Sequence, residues 1–208
     1  MQKLKLKAFT LVEMLIVIVI IGILIAALLP RLQGAQGRAR DVARKNNLNQ
    51  IGTAIAAYVS DYGRLPYTGA TSLHDGKVNG TDTLAELLLK EGMINNVPMD
   101  PQSGSTWSAE GKTVTGSFLF VPMKKNTVER GGFALIAKVE VAGSANWVQK
   151  EGANTVADGA LGTGVDIQNF YPCTTVEKVD GTTIKLSSST GQNCQYTDGN
   201  QLRYVYVY

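Results

Sequence analysis

The chain has almost none of the side chains on which most catalytic sites depend. Its 208 residues include one histidine, His74, in a stretch rich in glycine and asparagine that predicts a loop. A lone loop histidine is usually a solvated side chain, and no serine–histidine–aspartate set has a local signature here. The glycines within residues 159–164 lack the lysine and the strand-to-helix context of a phosphate-binding loop. These absences favour a protein that is not an enzyme and binds no cofactor.

Metal ligands are also sparse. Residues 198–200, Asp-Gly-Asn, offer oxygen atoms that could contribute to a calcium site near the C-terminus. Their spacing is too open for a calcium loop, and a simple turn is the better interpretation. We therefore expect no metal ion.

Charge of either sign is scarce, at 18% of residues, and the net charge of +3 has a local origin. Three of the 20 basic residues, Lys3, Lys5 and Lys7, lie in the first eight positions, and the other 17 balance 17 acidic residues. Nothing in this balance favours nucleic acid as a partner. A near-neutral remainder suits dense self-association, because like subunits repel each other little.

One apolar run, residues 9–29, interrupts this ordinary composition. As a helix it would span roughly 31 Å, enough to cross a bilayer. A secretory signal peptide would have a shorter apolar stretch followed by a small-residue cleavage site, for which Ala26 and Ala27 could be proposed. That alternative leaves the acidic residue within the run unexplained. The basic leader before a spanning helix predicts an N-terminus in the cytoplasm and a C-terminus outside.

The acidic residue in the run is Glu13, and it needs a positive partner. A carboxylate within hydrocarbon costs roughly 2.5–3.5 kcal/mol on insertion scales. Cleavage between Ala8 and Phe9 would create an ammonium group at Phe9, about one helical turn away. In an array of identical helices this ammonium could neutralise Glu13 of a neighbour. The pattern therefore indicates an assembly signal.

Residues 7–15, Lys-Ala-Phe-Thr-Leu-Val-Glu-Met-Leu, resemble the processing site of type IV prepilins and pseudopilins, with Ala8 in place of the usual glycine. The resemblance implies that a prepilin peptidase cuts before Phe9 and methylates the new amine. It also implies that Glu13 guides docking of subunits into a helical homopolymer, which an assembly platform and its ATPase build. Gly22 and Pro30 fall where this family commonly has glycine and proline.

The resemblance and the residue pattern together predict four segments. These are a leader at residues 1–8, a transmembrane and assembly half-helix at 9–29, an amphipathic half-helix at 30–62, and an exported globular domain at 63–208. Helix-disturbing residues near the junction predict a kink or local melting, and they are Gly22, Pro30, Gly34 and Gly37. After the junction, apolar residues recur at spacings of three and four: Leu48, Ile51, Ile55, Tyr58, Val59 and Tyr62. Gly63 and Pro66 mark the end of the helix.

A basic cluster, Arg38, Arg40, Arg44 and Lys45, follows the junction. At a membrane exit such residues ordinarily form a solvated or headgroup-facing band. In a filament they could pair with acidic groups of neighbouring subunits. DNA is a further possible partner that nothing else in the sequence supports.

The remaining residues predict a short helix and several strands. Leu84, Leu87 and Leu88 indicate a helix that ends at Gly92. Residues 118–121 and 133–139 read as a hairpin-like pair, and Trp147 and Val148 extend or follow it. Residues 204–208 alternate tyrosine and valine, which favours a strand inside the sheet, and residues 182–186 could form another. The predicted fold class is α+β, with a long N-terminal helix packed on an antiparallel sheet.

The two cysteines, Cys173 and Cys194, both fall in the exported part. An oxidising compartment and an even count favour a disulfide, which would close a ring of about 22 residues. Two unrelated thiols or a metal pair are weaker alternatives, because no histidine is near. Such a pair also resembles the disulfide-bounded C-terminal region of many type IV pilins.

Three functions follow from these observations. The sequence favours a type IV pilus subunit, made in the cytoplasmic membrane, surrounded by lipid before assembly, and serving adhesion, twitching or DNA uptake at the cell surface. The alternative is a pseudopilin of a type II secretion-like system, which has the same N-terminus. A membrane-anchored enzyme or binding domain is the remote alternative, and it predicts a deep pocket with convergent polar groups.

Overall fold

The computed structural model describes residues 10–66, 78, 84–109, 112–125, 128–148, 173, 177–178, 194–196 and 198–208. The chain divides into two compact units, Met1–Gly37 and Arg38–Tyr208. Several sequence predictions lie outside the described residues: the Ala8–Phe9 cleavage site, His74, the glycines of 159–164 and the strand at 182–186.

The first element is one long helix, α1, at Leu11–Tyr62. It ends where the sequence predicts, because Gly63 has a φ of +67°, which favours glycine, and donates its N–H to the carbonyl of Val59 at 2.8 Å. The helix is continuous through the positions at which a kink or melting is predicted, namely Gly22, Pro30, Gly34 and Gly37. Melting at these residues stays a prediction about assembly.

A second helix and eight strands follow. They are α2 at Leu84–Lys90, β1 at Thr106–Ala109, β2 at Lys112–Thr115, β3 at Leu119–Lys125, β4 at Val128–Lys138, β5 at Trp147–Val148, β6 at Glu177–Lys178, β7 at Gln195–Tyr196 and β8 at Leu202–Val207. Short 3-10 turns occupy Ala142–Ser144 and Gly199–Gln201. The predicted short helix and hairpin are confirmed.

The main sheet has four strands in the order β3-β4-β8-β5, and its pairs are antiparallel. Leu135 on β4 lies opposite Phe120 on one side and Tyr206 on the other. Strand β8 therefore lies inside the sheet, as its alternation of tyrosine and valine predicts. Two smaller pairs, β1 with β2 and β6 with β7, complete the described strands.

Helix α1 packs its apolar stripe against one face of this sheet. Leu48, Ile51, Ile55 and Tyr58 are buried with apolar residues of α2 and the sheet, including Leu84, Leu88, Phe120, Phe133 and Leu135. Tyr62 is an exception to the predicted stripe, because it is 46% exposed. Its ring stacks on Tyr58 and its hydroxyl donates to Glu91 Oε2, so it joins α1 to the turn after α2.

Gly52 lets the helix approach the sheet closely. A β-carbon at this position would lie 2.4 Å from Cε1 of the Tyr206 ring, which is closer than nonbonded carbon atoms can pack. The ring of Tyr206 therefore sits against bare backbone of α1. Any other residue at position 52 would require the ring of Tyr206 to move away from the helix.

The opposite face of the sheet is covered by the β1–β2 hairpin. Trp107 and Val114 pack with side chains that alternate with those facing α1: Leu119, Val121, Met123, Ala134, Ile136, Trp147 and Val205. The Arg203 guanidinium lies 5.0 Å from the centre of the Trp107 ring. The sequence did not predict this hairpin, because its threonine, serine and lysine residues resemble a polar loop.

A disulfide joins Cys173 to Cys194, with the two Cα atoms 5.7 Å apart. It is tied to the sheet through Asn146, whose carbonyl accepts the N–H of Cys173 at 2.8 Å. The side-chain amide of Asn146 pairs with both backbone groups of Val205, at 2.7 and 2.8 Å. The predicted fold class, α+β with a disulfide in the C-terminal region, is confirmed.

Replacing both cysteines by serine, Cys173→Ser with Cys194→Ser, should destabilise the second unit by about 3 kcal/mol, because the open chain gains conformational entropy when it unfolds. Thermal unfolding followed by circular dichroism in detergent measures the loss. A reductant should lower the melting temperature of the unsubstituted protein and leave that of the variant unchanged. Equal melting temperatures under oxidising conditions would show that the disulfide does not stabilise the fold.

Candidate assembly site

The first unit presents apolar side chains around the whole circumference of α1. The large apolar side chains between Leu11 and Leu32 are 45% to 88% exposed in the single chain. Among the described residues, α1 is the one helix long and apolar enough to cross a membrane, with a mean hydropathy of 3.1 in its most apolar window. Such a surface needs lipid or other apolar helices around it.

Glu13 lies in the first turn of this helix and is held by Thr10. Its Oε2 accepts the Thr10 backbone N–H at 2.9 Å and the Thr10 hydroxyl at 2.8 Å. In return, the Glu13 N–H donates to Thr10 Oγ1 at 3.2 Å. This reciprocal arrangement is a capping box, which satisfies backbone N–H groups at the start of a helix.

The role of Thr10 was not predicted, although the capping-box pattern of threonine followed three residues later by glutamate is present at residues 10–13. The capping box places the carboxylate of Glu13 at the N-terminal end of α1, where the helix dipole favours an anion. Hydrogen bonds from a neutral threonine leave the negative charge of Glu13 uncompensated. The predicted cationic partner, the amine of Phe9, lies outside the described residues.

Two arginines of the basic cluster after the junction are paired within their own chain, unlike the solvated or headgroup-facing band that the sequence predicts. Arg44 is 1% exposed and forms ion pairs with Asp41, Asp100 and Glu140 of its own chain. Arg40 donates two hydrogen bonds to Glu140. Lys45 places its ammonium group 4.7 Å from the centre of the Tyr204 ring.

Burial and pairing set the charges of this cluster. Burial opposes the charge of Arg44, but hydrogen bonds from its guanidinium to Asp100 and Glu140 outweigh that effect and raise its pKa above the usual value. Hydrogen bonds from Arg40 and Arg44 lower the pKa of Glu140 to about 2. Arg44 and Glu140 are thus charged at neutral pH and paired within the chain. Arg38 is the exposed arginine of the cluster.

The described residues form a groove beside α1. Its volume is about 570 Å³, and its lining includes Gln50, Thr53, Ile94 and Pro98 but no titratable side chain. The described residues contain no group of three or more histidine, cysteine, aspartate or glutamate side chains that could hold a metal ion. Residues 198–200, for which a simple turn is the preferred interpretation, overlap the 3-10 turn at Gly199–Gln201.

Comparison with known proteins agrees with the geometry of the N-terminal segment. A family model described as the prokaryotic N-terminal methylation motif matches residues 5–29. The chain is also 33% identical over 99 residues to the type II secretion system core protein G of Escherichia coli (strain K12), covering 47% of this chain and 67% of that protein. No solved structure matches the chain. The methylation motif, the capped Glu13 and this relative together show that the chain belongs to the type IV pilin and pseudopilin family.

Proposed function

We propose that the chain is the structural subunit of a type IV pilus-like filament and polymerises through its N-terminal helix. Members of its family are structural subunits and not enzymes. The observation that carries the proposal is the exposed apolar surface of α1 with a single carboxylate, Glu13, in its first turn. Transfer of this helix from lipid to a filament core costs little hydrophobic energy, because both surroundings are apolar.

Processing completes the assembly site. Cleavage between Ala8 and Phe9 by a prepilin peptidase removes the three lysines of the leader and creates the Phe9 amine, which is then methylated. This ammonium pairs with Glu13 of the neighbouring subunit. A charge pair in an apolar core contributes mainly specificity, and here it sets the axial register of adjacent helices.

The proposed sequence of events begins in the cytoplasmic membrane. The precursor spans the bilayer once through residues 9–29, with its C-terminal domain outside. An assembly platform and its ATPase then extract the helix, and local melting near Pro30 and Gly34 lets it adjust to the packing of the filament. The resulting homopolymer extends from the cell surface and presents residues 63–208.

Mass spectrometry of sheared surface fibres tests the processing step. We expect the assembled protein to begin at Phe9 with an N-methyl group. An Ala8→Gly variant, which restores the residue usual in the family, should yield the same mature N-terminus. Assembled material that retains Met1 would contradict the proposal.

A second candidate function is a pseudopilin of a type II secretion-like system. The similarity to type II secretion system core protein G favours it, whereas the disulfide between Cys173 and Cys194 favours a pilin. Deletion of the gene distinguishes the two. Loss of surface fibres with normal protein secretion supports the pilus subunit, and loss of secretion with fibres intact supports the pseudopilin.

A further inference from the structure

A set of four charged residues, three of them buried and Glu140 partly exposed, attaches α1 to the rest of the second unit. The set consists of Asp41, Arg44, Asp100 and Glu140, and is called the axial clamp below. The Arg44 guanidinium binds Asp100 through two parallel hydrogen bonds, from Nε at 2.8 Å and from Nη2 at 2.9 Å. Its Nη1 also donates to Asp41 at 2.8 Å and to Glu140 at 2.7 Å.

Asp41 forms the second half of the axial clamp. Its carboxylate accepts the backbone N–H of Glu140, at 3.0 and 3.2 Å to its two oxygens, and that of Val141 at 2.9 Å. Asp41 and Arg44, three residues apart on α1, thus bind two separate chain segments: the one at Asp100 and the one after β4. The hydrogen bonds of Arg44 to Asp41 and Asp100 are buried, whereas those that involve Glu140 and Val141 are partly buried.

The direction of β8 relative to α1 determines how tension would act on these contacts. Lys45 of α1 lies over Tyr204 of β8, and Gly52, further along α1, contacts Tyr206. Helix and strand therefore advance in the same direction. Tension between the N-terminal side of α1 and the C-terminus of β8 pulls the two elements past each other and loads their contacts in shear.

We propose that the axial clamp is the device that stops α1 from sliding along the sheet under tension. The source of that tension, extraction from the membrane and strain on the fibre, rests on the proposed function. An apolar stripe resists sliding poorly, because a shift of about one helical turn, roughly 5.4 Å, replaces each apolar side chain by another. The buried ion pairs have no such replacement, since a shift leaves their charges unpaired in an apolar interior.

Single-molecule pulling on the full chain in detergent micelles tests the proposal in two geometries. Handles at the two termini apply shear and load the axial clamp. In the second geometry, one handle is attached to an unnatural amino acid at the exposed position Ser60 and the other to the C-terminus. This load peels α1 from its C-terminal end, so it reaches the axial clamp last. The double variant Arg44→Gln/Asp100→Asn should rupture about tenfold faster than the unsubstituted chain under constant shear load, equal to about 1.4 kcal/mol of barrier. In the peeling geometry its first rupture should be unchanged.

Asp41→Asn provides an independent test if the double variant does not fold, because it removes a charge and keeps the side-chain shape. Glu91→Ala is the matched control, since it removes the acceptor of the Tyr62 hydroxyl outside the clamp and should not change rupture in shear. Equal acceleration in both geometries, or none in shear, would overturn the proposal. The pulling measurement needs no filament, so a negative result would contradict the axial clamp but not the proposed function. Absence of fibres, in turn, would contradict the proposed function but not the axial clamp.

Discussion

Replacing Glu13 by valine is expected to leave expression and membrane insertion intact and to block incorporation into filaments that contain unsubstituted copies. The neighbouring Phe9 ammonium would then be buried without a partner, at a cost of about 3–5 kcal/mol. This corresponds to a loss of roughly two orders of magnitude or more in incorporation at each contact. Co-expression of a tagged variant with the unsubstituted protein, followed by quantification of the tag in sheared fibres, measures the effect.

The capping box allows the charge of Glu13 to be separated from its hydrogen bonds. Glu13→Gln keeps a side chain suited to the capping box but has no charge, and it should fail to incorporate as the valine variant does. Thr10→Val removes the cap, at about 1 kcal/mol of helix stability, but keeps the charge, and it should still assemble. Normal fibres built from Glu13→Gln alone would contradict charge pairing as the assembly signal.

Replacing Arg44 by methionine is expected to destabilise the second unit by about 3–5 kcal/mol, because Asp41 and Asp100 would be left buried without their cation. That loss is a large part of the 5–15 kcal/mol that typically holds a domain folded. Thermal unfolding of the full chain in detergent would show it as a much lower melting temperature.

The matched control for Arg44 is Arg38→Met, which changes an exposed arginine of the same helix and should alter stability by no more than about 0.5 kcal/mol. Adding Asp100→Leu to Arg44→Met should recover part of the loss, because it removes one of the stranded charges. Similar melting temperatures for the Arg38 and Arg44 variants would mean that Arg44 is not held in a buried ion network.

Local chemistry made part of this fold predictable. The periodic apolar residues from Leu48 to Tyr58 predict the packed face of α1, and Gly63 predicts its end because few other residues adopt a positive φ without strain. Alternation of tyrosine and valine at residues 204–208 predicts an interior strand. The candidate assembly site is proposed from Glu13, since a single carboxylate in an apolar run is costly unless it has a partner.

Long-range pairing made the rest unpredictable. The sequence places Arg44 among basic neighbours, and nothing local indicates that its partners are Asp100 and Glu140, many residues away. The β1–β2 hairpin was missed because only Trp107 and Val114 carry its apolar contacts. The role of Thr10 was not predicted for a different reason. The charge of Glu13 calls for a cation, whereas the bonds that hold its carboxylate come from a neutral residue at the start of the same helix.

The seat of the Tyr206 ring on Gly52 also limits how this subunit can evolve. Any mutation that gives residue 52 a side chain displaces the end of the Tyr206 ring, so its cost depends on how far the ring can move aside or on how small residue 206 is. A smaller residue at 206 alone leaves a void beside the helix, which is itself costly. The effect of a substitution at residue 52 should therefore depend on which residue occupies position 206.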